Sequence, residues 1–315
     1  MATSVTAQDL VRGPAVAEPQ ARRPSRSLWS DAWRQFRRHR LAMLGVGVFL
    51  LLLLMTLVGP LIYRTPTDAI DYSQGLLGPS IAHPFGTDDL GRDLLARALV
   101  GGRVSMAVGV VAVLIAITLG TAIGALAGFF GGQTDGVLMR LTDLFLALPQ
   151  LPLLLMVIYL FRDPLRRVFG PELGVFLLIV SIIGVLNWMP LARLVRASFL
   201  SLKQKEFVEA ARCLGAKNGR LMLVHILPNT LSAVIVAATV GVGQAIITES
   251  ALSFLGLGFP PDVPTWGRML YDAQNFLDLG PHWAIFPGLL IFLTVLSINY
   301  IGDGMRDALD PRKTQ

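Results

Sequence analysis

Charged residues are scarce in this sequence. Only 15% of its 315 residues are Asp, Glu, Lys or Arg, whereas soluble domains carry about a quarter. Hydrophobic residues make up 53%, and the single cysteine, Cys213, excludes an internal disulfide framework. Low charge combined with this hydrophobicity is typical of a chain that crosses a membrane several times.

Motifs for catalysis are missing as well. No Gly-x-x-x-x-Gly-Lys-Ser/Thr segment occurs, so we expect no ATP site in this chain. No His-Glu-x-x-His, paired Cys/His set or Gly-x-Ser-x-Gly segment occurs either, and the four histidines are scattered. We therefore expect a non-catalytic polypeptide that binds no cofactor and no metal of its own.

Long apolar runs are what the sequence has instead. The first run, 41–62, would form a helix about 33 Å long, enough to cross a bilayer core of about 30 Å. Because the backbone finds no water inside the bilayer, such runs are expected to be helical. The runs lie at 41–62, 104–130, 137–161, 174–195, 226–248 and 284–301. The sequence thus predicts an all-α membrane protein with six transmembrane helices.

Small residues mark the second run. Gly120, Gly124 and Gly128 recur every four residues and would therefore lie on one face of the helix. Small residues on one face let two membrane helices approach closely, so we expect a packing face here.

The N-terminal region divides into two parts. Residues 1–27 are rich in Ala, Pro and Arg without a hydrophobic period, which predicts a disordered cytoplasmic tail. In 28–40, Trp29, Trp33 and Phe36 share one helical stripe, and arginines lie largely off it. This pattern predicts an amphipathic helix in the membrane interface, with its aromatic side toward the membrane lipid.

Arginine and lysine near the ends of the runs indicate the orientation, because cytoplasmic loops are enriched in both. The N-terminal tail is rich in arginine, and an even number of runs returns the tail 303–315 to the same side. The arginine-rich loop 162–167 disagrees, since it should be external. We attribute the net charge of +6 to arginines that flank the apolar runs, and we therefore expect no nucleic-acid partner. We expect a multi-pass protein of the cell (cytoplasmic or inner) membrane with both termini in the cytoplasm.

One predicted cytoplasmic loop contains an amphipathic stretch between two apolar runs. In EFVEAARCLGAKNGRLMLVHILPN, residues 206–229, we expect Phe207, Ala211 and Leu214 to share one helical face. Gly215 is suited to ending that helix. An exposed apolar face of this kind needs a docking partner. A lid folded back on the membrane is the alternative.

The same stretch resembles the cytoplasmic signature of permeases from ATP-binding-cassette (ABC) importers, Glu-Ala-Ala-x3-Gly-x9-Ile-x-Leu-Pro. Residues 209–211, Gly215 and residues 227–228 match it, whereas His225 stands at the Ile position. The resemblance implies a coupling helix, within the loop 203–225, that sits in a groove of an ATP-hydrolysing subunit. The implied coupling residues are Phe207, Glu209, Ala210, Ala211, Leu214 and Gly215.

A second signature precedes the second run. PFGTDDLGRDLLAR, residues 84–97, closely resembles the C-type permease of dipeptide, oligopeptide and nickel importers. Taken alone, these residues predict a helix capped by Thr87 or Asp88, with Asp89 and Asp93 in its first turns. The signature residues are Gly86, Thr87, Asp88, Asp89, Gly91, Arg92 and Asp93. Likeness at 131–155 and 249–270 extends the resemblance over most of the chain.

The resemblance implies the type I ABC importer permease fold. An external segment, 63–103, would precede a five-helix core, 104–302, that contains a further external segment, 249–283. This chain would form half of a translocation pore for dipeptides or oligopeptides. Its partners would be a B-type permease, two ABC ATPase subunits that bind ATP and magnesium, and an extracytoplasmic peptide-binding protein. Nickel or another small solute is an alternative cargo.

An ion-coupled secondary transporter is a more distant alternative. Such transporters usually place ionisable groups near the middle of the bilayer. The six runs are nearly free of them, with Asp143 near one end of the third run and Glu249 just beyond the fifth. We interpret Asp143 either as a residue at the end of a span that faces protein or as part of the pore.

Overall fold

The computed structural model describes residues 28–309, so the predicted tail 1–27 and the last six residues lie outside the described part. Within it the chain is helical, apart from loops and one isolated bridge between Thr87 and Asp93. A π-helical turn, Leu221–Ile226, joins α9 to α10. The helices are α1 (Leu28–Arg38), α2 (Arg40–Ile62), α3 (Leu94–Phe130), α4 (Gly132–Ala147), α5 (Gln150–Phe169), α6 (Pro171–Leu186), α7 (Trp188–Leu202), α8 (Glu206–Cys213), α9 (Asn218–Arg220), α10 (Leu227–Phe254), α11 (Trp266–Ala273) and α12 (His282–Leu309).

Five helical stretches in residues 28–309 are long and apolar enough to cross a membrane. The pair α4 and α5 is a sixth candidate, bent by 87° at a short break. The predicted all-α membrane fold is confirmed, and six spans result if the bent pair counts as one. The five stretches are Arg40–Ile62, Leu94–Phe130, Pro171–Leu202, Asn218–Phe254 and His282–Leu309.

Two predicted spans are broken near their middle and are not single helices. The run 137–161 is divided between α4 and α5, because Leu148 is extended before Pro149 and a residue before proline avoids the helical conformation. The run 174–195 is divided between α6 and α7 at Asn187, whose backbone (φ −112°, ψ 4°) leaves the helical region. Apolar periodicity alone could not detect either break.

The glycine face of α3 packs against α7, as predicted. A Cβ atom at Gly120 would lie 2.8 Å from the carbonyl oxygen of Trp188, and one at Gly124 would lie 2.4 Å from that of Ala192. At Gly128 the corresponding distance to the Arg196 carbonyl oxygen is 2.7 Å. The two backbones therefore approach closely enough to exclude any side chain from these positions.

The amphipathic helix α1 packs on α12. Phe36, expected to face lipid, is buried instead and lies against Gly304, where a Cβ would be 3.1 Å from its ring. The Gln35 side chain donates a hydrogen bond to the Asp307 carbonyl oxygen (2.9 Å). Trp33 remains 59% exposed. The aromatic stripe thus serves partly to attach α1 to the protein.

Candidate functional site

A compact elbow follows α7 and comprises residues 203–226; we call it the α8 elbow. Its helix α8 ends where Gly215 adopts φ +85°, a conformation that favours glycine. The N–H of Ala216 then bonds the Ala211 carbonyl oxygen (3.1 Å), which closes the helix end. The short helix α9 and the π-helical turn lead directly into α10.

The inner face of α8 is attached to the rest of the chain. Val208 is fully buried, and Ala211 is only 9% exposed. Both belong to a hydrophobic cluster that combines α7, α8, the π-helical turn and α10. The other fully buried members are Val195, Phe199, Leu221 and Ile226. Movement of α8 is therefore coupled to two long helices, α7 and α10.

The outer face of α8 is apolar and exposed. Leu214 is 89% exposed and Phe207 is 44% exposed, with Ala210 beside them and Glu209 also on the surface. The sequence pattern predicts Ala211 on this face together with Phe207 and Leu214, which is wrong for Ala211. The structure turns Ala211 inward, because the neighbouring Val208 draws that side of the helix onto the cluster.

Polar contacts fix the elbow at its N-terminal side. The Lys203 ammonium group donates to the carbonyl oxygen of Gly128 (3.0 Å), near the C-terminal end of α3. A cation at this end of a helix is favoured by the helix dipole. Nearby, α4 is joined to α7 by the ion pairs of Asp135 with Arg196 and of Asp143 with Arg193. Asp143 thus has a protein partner, although its side chain is 60% exposed.

The second predicted site lies at the opposite end of α3 and does not form the expected helix. Residues 63–93, which we call the latch, form a loop with one 3₁₀ turn, Tyr72–Gln74, and α3 begins only at Leu94. Asp93, and neither Thr87 nor Asp88, is the N-cap, since its carboxylate accepts the N–H of Ala96 (2.7 Å). The helix start is later than predicted because two left-handed glycines, at positions 86 and 91, bend the preceding backbone.

Asp93 also ties the latch together. Its second carboxylate oxygen accepts the Tyr63 hydroxyl (2.7 Å) and lies 2.7 Å from the Nδ1 atom of His83. Burial, followed by this hydrogen bond, raises the pKa of the Tyr63 phenol. One carboxylate therefore joins the end of α2, the latch loop and the start of α3.

The other signature residues are mostly structural too. Asp88 accepts the backbone N–H groups of Leu90 (3.0 Å) and Arg92 (2.8 Å) and pairs with the Arg92 guanidinium (2.6 Å). A Cβ on Gly91 would collide with the Asp71 carbonyl oxygen at 1.9 Å. Asp89 is the exposed member of the signature. The signature therefore preserves a loop shape within this chain.

Glu249 differs from its predicted position. Because α10 continues to Phe254, Glu249 lies within the helix and not beyond it, and it is fully buried. Its carboxylate accepts the Ser253 hydroxyl (2.7 Å) and the Ser105 hydroxyl of α3 (3.4 Å). Ser105 in turn accepts the N–H of Trp266 (3.3 Å), at the start of α11. These bonds connect α3, α10 and α11.

A cavity of about 750 Å³ lies between α3, α6, α7, α10 and the end of α12. Its walls are mainly small and apolar, and Asn187 and Gln244 contribute side-chain amides. Neither residue is among the site residues predicted from the sequence, although an uncharged amide within an apolar run is a signal that could have indicated them.

Comparison with known proteins identifies the family. Residues 120–315 match the model described as the binding-protein-dependent transport system inner membrane component. Residues 27–82 match the N-terminal TM domain of oligopeptide transport permease C. These two matches leave only a short interval, which contains part of the latch and the start of α3, between them.

Curated relatives agree over nearly the whole chain. The dipeptide transport system permease protein DppC of Alkalihalophilus pseudofirmus is 39% identical, with 95% of each chain covered. The glutathione transport system permease protein GsiD of Escherichia coli O6:K15:H31 is 41% identical over 95% of this chain and 94% of its own. The oligopeptide transport system permease protein OppC of Bacillus subtilis is 40% identical, with 91% of each covered.

These matches agree with the candidate spans and make this a multi-pass inner-membrane protein. The chain belongs to the ABC importer permease family of binding-protein-dependent transport systems, in its dipeptide and oligopeptide transport group, whose members are non-catalytic transport subunits.

Proposed function

We propose that this chain forms half of the translocation pore of an importer for dipeptides or oligopeptides, and that the α8 elbow couples it to an ATPase subunit. The attachment of α8 carries the proposal. Its inner face is fixed to α7 and α10, while Phe207 and Leu214 face outward without cover from the described chain. A lever requires both properties.

The chemistry of the exposed face suits a groove on a partner. Small Ala210 allows close approach, and Phe207 and Leu214 supply apolar area of the kind that is buried at stable interfaces. Leu223 (65% exposed) and Val224 (57% exposed) extend the apolar surface beyond α8. Glu209 can accept hydrogen bonds or pair with a basic group at the rim.

The proposed cycle uses two states of the pore. An extracytoplasmic peptide-binding protein delivers the cargo to this chain and a B-type permease. Two ATPase subunits bind ATP and magnesium, and their closure moves the α8 elbow. Because α8 is fixed to α7 and α10, these helices move with it and open the pore to the other side. The elbow and both termini are then cytoplasmic, and this chain binds no nucleotide.

The peptide cargo is supported by the relatives. Their names refer to dipeptide, glutathione and oligopeptide transport, and glutathione is itself a peptide. Identity of about 40% over nearly full length makes a shared class of cargo the simplest proposal.

A pull-down of co-expressed ATPase subunits tests the coupling. We expect Leu214→Asp to reduce their recovery at least tenfold, because a carboxylate would be desolvated in the groove. Leu279→Asp is the matched control, since Leu279 is a similarly exposed leucine (71%) in the loop between α11 and α12. Full recovery with Leu214→Asp at normal membrane abundance would exclude α8 as the docking site.

A further inference from the structure

The cavity between α3, α6, α7 and α10 reaches a broken span, because Asn187, at the break between α6 and α7, is one of its lining residues. Pro171–Leu202 has 32 residues, of which α6 takes the first 16, so Asn187 stands halfway along it. The break between α4 and α5 brings Gln150 next to it, with the Gln150 Nε2 atom 3.4 Å from the Asn187 Oδ1 atom. In membrane transporters, discontinuous helices commonly line substrate sites.

Gln244 is the second side-chain amide that lines this cavity. It lies within α10, which belongs to a stretch apolar enough to cross a membrane, yet its side chain is exposed and lines the cavity. It makes no side-chain hydrogen bond within residues 28–309. An amide that faced hydrocarbon would lose its hydrogen bonds with water at a cost of several kcal/mol. The Gln244 side chain therefore belongs in a polar, water-accessible space.

Asn187 retains hydrogen-bonding capacity for a ligand. Its Nδ2 atom donates to the Ile183 carbonyl oxygen (2.8 Å), which fixes the side chain at the end of α6. A side-chain amide has two N–H donors and two acceptor lone pairs. One donor and one lone pair therefore remain after the contacts with Ile183 and Gln150.

The small apolar lining and the low charge of the cavity indicate which class of ligand it can hold. Alanine, glycine and valine from α3 and α10 dominate the lining, and among the described lining residues only Arg306 is charged. Arg306 lies in the last turn of α12 and contributes to the wall of the cavity there. A volume of about 750 Å³ is within the range of sites for small ligands. Such a space accepts varied side chains and offers amide groups as its polar contacts.

We propose that Asn187 and Gln244 form a transit site that hydrogen-bonds the backbone amides of a short peptide. This inference rests on the proposed function and specifies what the pore recognises. A peptide bond has one N–H donor and one C=O acceptor, and a side-chain amide complements both. The dipeptide, glutathione and oligopeptide named for the relatives have this group in common and differ in their side chains.

Uptake by the complete importer in proteoliposomes tests the transit site. The probes are labelled alanyl-alanine and its ester analogue alanyl-lactate, which lacks the N–H of the peptide bond. Gln244→Met keeps the length of the side chain and removes its hydrogen bonds. Gln133→Met is the control, since Gln133 is an exposed glutamine at the start of α4 that does not line the cavity.

We expect Gln244→Met to lower alanyl-alanine uptake roughly five- to tenfold, the effect of one or two net hydrogen bonds, and alanyl-lactate uptake only about twofold, because the ester keeps a weaker C=O acceptor and lacks the N–H. Any preference of the binding protein for one probe does not affect this result, because the uptake rate of each variant is divided by that of the unmodified importer for the same probe. Gln133→Met should change neither rate.

Other outcomes overturn the transit site in distinguishable ways. Equal losses for both probes, or no loss at normal abundance, refute amide recognition but leave peptide import intact. Reduced recovery of the second permease with Gln244→Met would place Gln244 in the subunit interface instead. Failure of the unmodified importer to take up either probe or any longer alanine peptide refutes the proposed function together with this site. If Gln244→Met is poorly inserted, Gln244→Leu gives the same comparison.

Discussion

Val208 offers a way to loosen the proposed lever without changing its docking face. The Val208 side chain is fully buried where α8 packs against α7 and α10. Leu214, on the outer face of α8, is 89% exposed. Val208→Ala removes two methyl groups. At about 0.8 kcal/mol for each buried carbon, plus a small cavity term, the attachment of α8 loses about 2 kcal/mol.

This loss sets the size of the expected effect. Because 1.4 kcal/mol corresponds to a tenfold change, the detached population of α8 should rise about thirtyfold. An eight-residue helix is not stable alone in water, so a detached α8 unfolds and its amides exchange. Hydrogen exchange over 206–213, in the complex reconstituted in lipid nanodiscs, should therefore accelerate by about thirtyfold.

Transport and pull-down measurements should distinguish a variant on the inner face of α8 from a variant on its outer face. With Val208→Ala we expect normal recovery of ATPase subunits but fewer molecules of alanyl-alanine imported per ATP hydrolysed, because a loose elbow absorbs the motion. Leu214→Ala should instead weaken recovery of the ATPase subunits and leave exchange in the free permease nearly unchanged. Unaltered exchange and unaltered coupling with Val208→Ala would refute the lever, and so would identical behaviour of the two variants.

Two further predictions concern the framework of the lever. Gly124→Ala should destabilise the protein by about 1–3 kcal/mol, because its Cβ would lie 2.4 Å from an α7 carbonyl oxygen, and a thermal melt in detergent measures this. Gly136→Ala, with open space around it, is the control, and equal melting temperatures for both would contradict the packing. Asp93→Ala should cost about 2 kcal/mol or more through the lost N-cap and the lost hydrogen bonds to the partly buried Tyr63 and His83, and should expose the latch to protease. Asp89→Ala should have little effect, and an equally sensitive Asp89 variant would refute the assignment of the latch.

Features encoded by local pattern could be predicted from the sequence. Apolar runs indicated the membrane helices, four-residue spacing indicated the glycine face of α3, and Gly215 marked the end of α8. Each of these depends on a few neighbouring residues. Because the residues that determine each of these features are close together in the chain, the sequence alone is enough to predict them.

Features that depend on tertiary contact could not be predicted in this way. Ala211 and Leu214 look alike as apolar members of one face, and only the cluster around Val208 shows which of them is covered. Asp93 competes with Thr87 and Asp88 for the N-cap, and the backbone of the latch decides among them. Only the tertiary structure shows that Asn187 and Gln244 line the same cavity.

The single cysteine provides the most direct test of the central claim. Cys213 is exposed at the end of α8, so a thiol cross-linker can report both its compartment and its neighbours without introducing another cysteine into this chain. In membranes that contain the full importer, we predict a cross-link from Cys213 to an ATPase subunit and no reaction with an impermeant maleimide added from outside. Labelling of Cys213 from the external side, or the absence of any cross-link to an ATPase subunit, would contradict the account.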